Sequence, residues 1–290
     1  MFSSLASLLF LGIVPVAVAD APAQKMLPGI EVVAVSAPSN LPSQFLLPPL
    51  SASGVMLIDV QSGEEIASLN PDQARPMASL TKIMTALLVL EKGNINRVVT
   101  IPPITEQIRG STIGVKAGEL ISTESLLKAL LIPSANDAAY AIAVTTEGNV
   151  GAFVRAMNAR AVSLGLTHTH FANPAGLDHA EQFSTPRDLA WLTKSALKKS
   201  QFRSIVGTRS TTIRTYSGTE FDLRNTNEML HFNPRVQGVK TGTTDSAGEC
   251  LIVLFEEGGR EYLLILLRSK DRYTDALRVL DALREASQIR

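Results

Sequence analysis

Ser79-Leu-Thr-Lys82, Ser134-Ala-Asn136 and Lys240-Thr-Gly242 follow one another along the chain, far apart, and no other feature restricts its fold as tightly. Each alone is a common short pattern. Together they offer a hydroxyl nucleophile, a lysine one helical turn on, a second hydroxyl with an amide, and a cation beside a glycine. That set suffices for serine acyl transfer without a histidine, provided the chain brings the three segments to one place.

The surrounding pattern predicts how it does so. Residues 54–60 and 64–68 flank Gln61-Ser-Gly63 as the arms of a β-hairpin. A helix over 79–92 places Ile83, Leu87 and Leu90 on one face and stops at Gly93. Further helices are predicted over 122–131, closed by Pro133, from Asn136 through an Ala-rich run, over 155–164 and over 186–199. Strands return late, at 236–241, 249–255 and 262–267, short, apolar and separated by turn residues such as Gly258-Gly259. A last helix over 273–286 can lay Leu277, Leu280 and Leu283 on a sheet. Strands at both ends with helices between imply a mixed α/β (α+β) fold, one sheet assembled from distant segments plus a helical lobe.

Ser79 opens the first predicted helix, where the macrodipole favours negative charge and the first N–H groups lack partners. Lys82, three residues on, shares its face. An amine takes the serine proton only when neutral, so burial and a nearby cation must lower its pKa; Lys240 is the natural neighbour. The pattern S-x-x-K recurs at Ser125-Leu-Leu-Lys128 and Ser195-Ala-Leu-Lys198. Both lie inside predicted helices and read as helix surface. Only Ser79 stands at a helix start, ahead of the other two segments.

Ser134-Ala-Asn136 falls between two predicted helices, directly after Pro133. By themselves, Ser134 or Asn136 can simply cap the next helix. Beside the other segments, Ser134 can relay a proton from Lys82 to a leaving amine, while the Asn136 amide holds a substrate backbone. Lys240-Thr-Gly242 is either an ordinary tight turn or a substrate edge on a strand. In the second reading Gly242 lets a peptide approach and pair. Lys240 and Thr241 then offer a cation and a hydroxyl to a carboxylate, and the N–H of Thr243 joins that of Ser79 in an oxyanion hole.

Charge is balanced, with 27 basic against 27 acidic residues, and no basic stripe carries interleaved aromatics. This argues against nucleic acid as a partner. His168, His170, His179 and His231 lack zinc-motif spacing, and no metal or other cofactor is expected. No G-x-S-x-G elbow occurs. Cys250, the single cysteine, falls in an apolar strand and reads as a buried thiol. Residues 5–18 are nearly all apolar and run into Ala17-Val-Ala19, the pattern of a signal peptide over 1–19, although no Lys or Arg precedes it. Residues 20–50, rich in Pro, Ala and Ser, are expected to be a linker, with the catalytic domain over 51–290. The chain is accordingly expected to be exported, to the periplasm or the outer face of the cytoplasmic membrane.

From about Ser51 onward the chain resembles the low-molecular-mass penicillin-binding proteins, the serine D-alanyl-D-alanine carboxypeptidase family, in which S-x-x-K, S-x-N and K-T-G occur in this order. Phe171-Ala-Asn-Pro-Ala-Gly-Leu-Asp178, Ser184-Thr-Pro-Arg-Asp-Leu189, Asn225-Thr-Asn227 and Gly238-Val-Lys-Thr-Gly-Thr-Thr-Asp245 are similar to further stretches of that family. The resemblance implies a β-lactamase/transpeptidase-like fold, with a mostly antiparallel sheet flanked by helices. It implies acylation of Ser79 by the D-Ala-D-Ala end of a peptidoglycan stem peptide, hydrolysis of the acyl-enzyme, and acylation of the same serine by β-lactam antibiotics. Lys82 would be the base, Ser134 and Lys240 would assist proton transfer, and Asn136, Thr241, Gly242 and Thr243 would bind substrate. Arg272, or else Arg268, is a candidate for the terminal carboxylate.

A carboxypeptidase is the first reading, with an endopeptidase cutting peptidoglycan cross-links as the alternative. A class A β-lactamase would carry E-x-x-L-N between the second and third motifs, and none occurs between Asn136 and Lys240. A non-catalytic wall-binding module is disfavoured by the intact polar residues of all three motifs. The final helix mixes both charge signs, so no stable membrane anchor beyond the signal segment is expected, and the protein is expected to act as a monomer.

Overall fold

A computed structural model describes residues 45–288; the expected signal segment and residues 20–44 of the expected linker lie outside the described residues. The chain opens with the hairpin β1 (Gly54–Asp59) and β2 (Glu65–Leu69), followed by α1 (Lys82–Lys92) and the short strands β3 (Val98–Thr100) and β4 (Leu120–Ser122). The helices α2 (Thr123–Leu131), α3 (Asn136–Glu147), α4 (Val150–Ser163), α5 (Pro186–Leu197) and α6 (Ser200–Val206) come next. A second hairpin, β5 (Ser210–Arg214) with β6 (Glu220–Arg224), and the short helix α7 (Met229–Phe232) lead to the long strands β7 (Val236–Thr244), β8 (Gly248–Glu257) and β9 (Arg260–Ser269). The helix α8 (Arg272–Gln288) closes the described chain.

The first hairpin and the three late strands form one antiparallel sheet in the order β2-β1-β9-β8-β7. Its central strands are unbroken apolar runs because both faces are covered. Ile252 and Leu254 of β8, with Leu263 and Ile265 of β9, face the helical lobe, while their neighbours Leu251, Val253, Leu264 and Leu266 face α8. Val279, Leu280 and Leu283 of α8 complete that second layer. Ile83, Leu87 and Leu90 of α1 lie in the first, each contributing about 1.5–3 kcal/mol of burial. The α1 helix thus runs through the lobe with its N-terminus beside β7.

Several boundaries differ from expectation for identifiable reasons. Phe45, Leu47 and Leu50 pack on the α8 layer, and Arg278 donates to the Pro49 carbonyl at 3.2 Å, so the folded body begins before residue 51. The apolar side chains of this Pro-containing stretch find apolar surface to cover. Helix α4 starts at Val150 rather than 155, because the Asn149 side chain caps it by accepting from Ala152 N–H at 2.8 Å, despite Gly151 in its first turn. The β5–β6 hairpin and the β3–β4 pair were not anticipated; β5 and β6 are largely exposed and polar, with Ile213 and Leu223 their buried residues.

Candidate active site

The chain reaches α1 through a 3-10 turn, Ala78–Thr81, rather than entering the α-helix at Ser79 as predicted. Ala78 adopts a left-handed φ of 48°, and the Thr81 hydroxyl donates to the Ala78 carbonyl at 2.8 Å. Two glycines make room for this turn. A Cβ on Gly242 of β7 would lie 2.9 Å from the Ser79 nitrogen, and one on Gly176 would lie 1.9 Å from the Ala78 oxygen. The sequence reading gave the space at Gly242 to an approaching peptide. The nucleophile's own turn also uses that space, while Gly242 lines the cleft.

Lys82 is the first residue of α1 and its side chain is wholly buried. Its Nζ lies 2.8 Å from Ser79 Oγ, 2.8 Å from Asn136 Oδ1 and 2.6 Å from the Ala175 carbonyl. Asn136 Oδ1 and a carbonyl can only accept. A neutral amine therefore gives its two protons to them, and its lone pair is left for the Ser79 hydroxyl. Burial holds the Lys82 pKa well below the ordinary lysine value, the Lys240 cation lowers it further, and Asp137 partly opposes both. Lys240 is buried too, and burial followed by the Arg272 charge brings its pKa down to about 7. Its Nζ donates to the Thr241 carbonyl at 3.0 Å.

The second segment is held by a loop. Asn136 Nδ2 donates to the Arg109 carbonyl at 2.9 Å, and Asn136 N–H donates to the Ser111 carbonyl at 2.6 Å. The Asp137 carboxylate accepts from Gly114 N–H at 2.8 Å and so fastens the far end of that loop. Ala135, not Ser134 or Asn136, occupies the N-cap of α3, without a side-chain cap, so the capping alternative fails. Ser134 takes a φ of 65° and is nearly buried at the cleft wall. Its hydroxyl is not among the hydrogen-bond partners of Lys82, whose Nζ contacts are Ser79, Asn136 and Ala175.

Ser79 and Ser134 share a cleft of about 280 Å³ with Thr241, Gly242 and Thr243 of β7 and with Arg272. Thr241 Oγ1 shares a hydrogen bond of 2.6 Å with Thr226 Oγ1. Arg272 donates to the carbonyls of Gly242 and Cys250 at 3.0 and 3.1 Å and to Thr243 Oγ1, and it pairs with Glu249 at 3.1 Å. Arg268 is exposed and does not line this cleft. Cys250 is buried, and burial pushes its thiol up to about 11, which leaves it inert at neutral pH.

The stretch 171–178 entered the sequence reading without a role. It supplies the third acceptor of Lys82 and the packing surface of the nucleophile turn. Asn173 Oδ1 accepts from the N–H groups of Ala175, Gly176 and Leu177 at 3.2, 2.8 and 3.0 Å, which curls the loop so that the Ala175 carbonyl points inward. Gln182 Oε1 accepts from Ala172 N–H at 2.6 Å, and its Nε2 donates to Thr81 Oγ1 at 2.7 Å. The loop and the turn are thereby one hydrogen-bonded unit.

A family model described as D-alanyl-D-alanine carboxypeptidase, peptidase S11, matches residues 42–270. The D-alanyl-D-alanine carboxypeptidase DacF of Bacillus subtilis is 33% identical over 238 residues, which cover 79% of this chain and 61% of that protein. A D-alanyl-D-alanine endopeptidase of Escherichia coli is 32% identical over 259 residues, covering 84% of this chain and 79% of that protein. The crystal structure of the Streptomyces K15 DD-transpeptidase superposes with a TM-score of 0.78 at 31% identity, over 82% of this chain and 98% of that one.

Proposed function

The chain belongs to the D-alanyl-D-alanine carboxypeptidase family, and from that premise we propose that it is a serine DD-carboxypeptidase acting on peptidoglycan stem peptides. The observation that carries this reading is the pair of acceptor-only partners on Lys82, which leaves its lone pair for Ser79. Ser79 gives its proton to neutral Lys82 as its Oγ attacks the carbonyl carbon between the two D-alanines. The N–H groups of Ser79 and Thr243 receive the oxyanion. As the tetrahedral species collapses, the C–N bond breaks, and the proton passes from Lys82 through the Ser134 hydroxyl to the departing amine. D-Alanine leaves and an ester remains on Ser79. Water, deprotonated by Lys82, then attacks the ester and restores the serine.

The remaining groups bind. Thr241, Thr243 and Arg272 hold the terminal carboxylate, and Lys240 in its charged form adds to that field. The second amide proton of Asn136 Nδ2 is available to a substrate carbonyl, since Arg109 takes only one. β-Lactams acylate Ser79 by the same route. Among the described residues no helix is long and apolar enough to cross a membrane. The substrate and the apolar N-terminal segment together support export to the periplasmic side.

Endopeptidase activity is a second reading, supported by the relatives of that name in Escherichia coli and Pseudomonas aeruginosa. A cross-link whose amino donor carries a carboxylate next to the scissile nitrogen would use the same anchor as a terminal D-alanine. Incubation with a pentapeptide and with a cross-linked dimer, with products identified by mass, separates them. Release of D-alanine alone supports the carboxypeptidase, and conversion of dimer to monomers the endopeptidase. Absence of Ser79 labelling by a fluorescent penicillin in folded protein overturns both.

A further inference from the structure

A second, larger cavity of about 530 Å³ lies beside the nucleophile turn, outside the cleft just described. Its walls include Arg75 and Pro76, from the segment leading into the turn; Asp178 and Gln182, from the loop that carries Gly176; and Ser246, just past the end of β7. Two of these walls are tied together, as Ser246 N–H donates to an Asp178 carboxylate oxygen at 3.2 Å. The cavity carries both signs of charge. Arg75 gives its hydrogen bonds to the Ser53 carbonyl and the Gln73 amide oxygen, and among the described residues neither Arg75 nor Asp178 forms an ion pair.

The direction of a bound peptide relates this cavity to the reaction. β7 is an edge strand of the sheet, so an extended peptide can add to it through main-chain hydrogen bonds. Thr241 and Arg272, which line the cleft, are the groups proposed above to hold the carboxylate of the leaving D-alanine, so the leaving group lies on their side of Ser79. With the scissile carbonyl at the N–H of Thr243, the acyl part of the substrate continues along the edge past Thr244 toward Ser246. The residue before the acyl D-alanine then arrives at the mouth of the second cavity.

We propose that this cavity is the subsite for the residue preceding the acyl D-alanine, and that it selects a side chain ending in both an ammonium and a carboxylate. Asp178 holds the ammonium and Arg75 the carboxylate. This rests on the function proposed above. Charge-assisted contacts at a partly exposed site are each worth a few-fold in affinity.

The test uses three otherwise identical peptides ending in X-D-Ala-D-Ala, with X meso-diaminopimelate, L-lysine or L-norleucine. In the unaltered protein kcat/KM should fall in that order, with about tenfold between the first and last. Asp178→Asn keeps an acceptor for Ser246 N–H and should bring the lysine-to-norleucine ratio near one. Arg75→Gln should bring the diaminopimelate-to-lysine ratio near one. Equal values on all three peptides, or a preference for norleucine, overturn the subsite while leaving the proposed reaction standing. If none of the peptides is cleaved and Ser79 is not labelled by penicillin, the reaction itself fails and the subsite falls with it.

Discussion

Gly176 rests on the carbonyl of Ala78 so closely that a Cβ at 176 would come within 1.9 Å of the oxygen. It holds a φ of 87° as well, so two constraints coincide there. Gly165 separates them, since it has a φ of 73° but nothing within 4 Å of an added Cβ. Gly165→Ala should cost only the left-handed strain, about 1–2 kcal/mol. Gly176→Ala should displace the nucleophile turn and cut the rate of Ser79 acylation more than tenfold. Stopped-flow labelling with a fluorescent penicillin, beside thermal melts of both variants, checks this. Equal behaviour of the two alanines would show that the contact is unimportant.

Asn136 lies 2.8 Å from the Lys82 amine, which makes it the place to change that amine's charge balance. A carboxylate there stabilises the ammonium and raises the Lys82 pKa. Acylation needs the neutral amine, so Asn136→Asp should move the acidic limb of the pH profile of kcat/KM toward higher pH. Asn136→Ala removes the hydrogen bond without adding charge; it should lower the plateau with a smaller movement of the limb. An unmoved limb in the Asp variant argues that Lys82 is not the titrating base.

How much of this was legible beforehand depends on which atoms do the work. Ser79, Lys82, Ser134, Asn136 and Lys240 are side chains with distinctive chemistry, and their spacing and order in the sequence pointed to one cleft. The Ala175 carbonyl is a main-chain atom that any residue could supply, so no sequence pattern announces it. Gln182 acts on Thr81 across 101 positions, and such a bond exists only once the loop has folded. The sheet was visible because its central strands each carry an unbroken apolar stretch, such as 250–255 and 262–267. The β5–β6 hairpin was not, because its stability comes from pairing and from Ile213 and Leu223 rather than from a periodic apolar face. Gly242 was legible only in part for a similar reason: the sequence shows that room is needed, not that the Ser79 turn needs it too.

Lys240 should weaken the fold in which it serves. Its pKa is about 7 when folded against an ordinary 10.5, so between these values the unfolded chain holds more protons than the folded one. Stability therefore rises with pH across that window, and the full penalty of burying the charge is felt below pH 7. By linkage the penalty has an upper bound of about 5 kcal/mol. Lys240→Met should be more stable than the unaltered protein at pH 6, by about 1–3 kcal/mol, and the difference should shrink toward pH 10. Acylation should fall at least a hundredfold in the same variant. Denaturant melts at several pH values measure the first effect. A pH-independent difference would mean that the folded protein holds the Lys240 proton as firmly as the unfolded chain does, so that burial does not lower its pKa.

Arg272 has two tasks that one experiment can divide. Its bonds to the Gly242 and Cys250 carbonyls brace β7 against β8, while the contact with Thr243 Oγ1 places the guanidinium in the cleft. Only the second task depends on the substrate's free carboxylate. Peptides ending in D-Ala-D-Ala and in D-Ala-D-alaninamide differ in that group alone. The unaltered protein should prefer the acid by about ten- to a hundredfold, as expected for a charge-assisted hydrogen bond from the one guanidinium proton left unbonded. Arg272→Lys should keep part of that preference and Arg272→Leu should lose it. The bracing role lowers the rate on both peptides together and leaves their ratio intact. A Leu variant that is slower yet still discriminates acid from amide would assign the carboxylate to Lys240 and Thr241 instead.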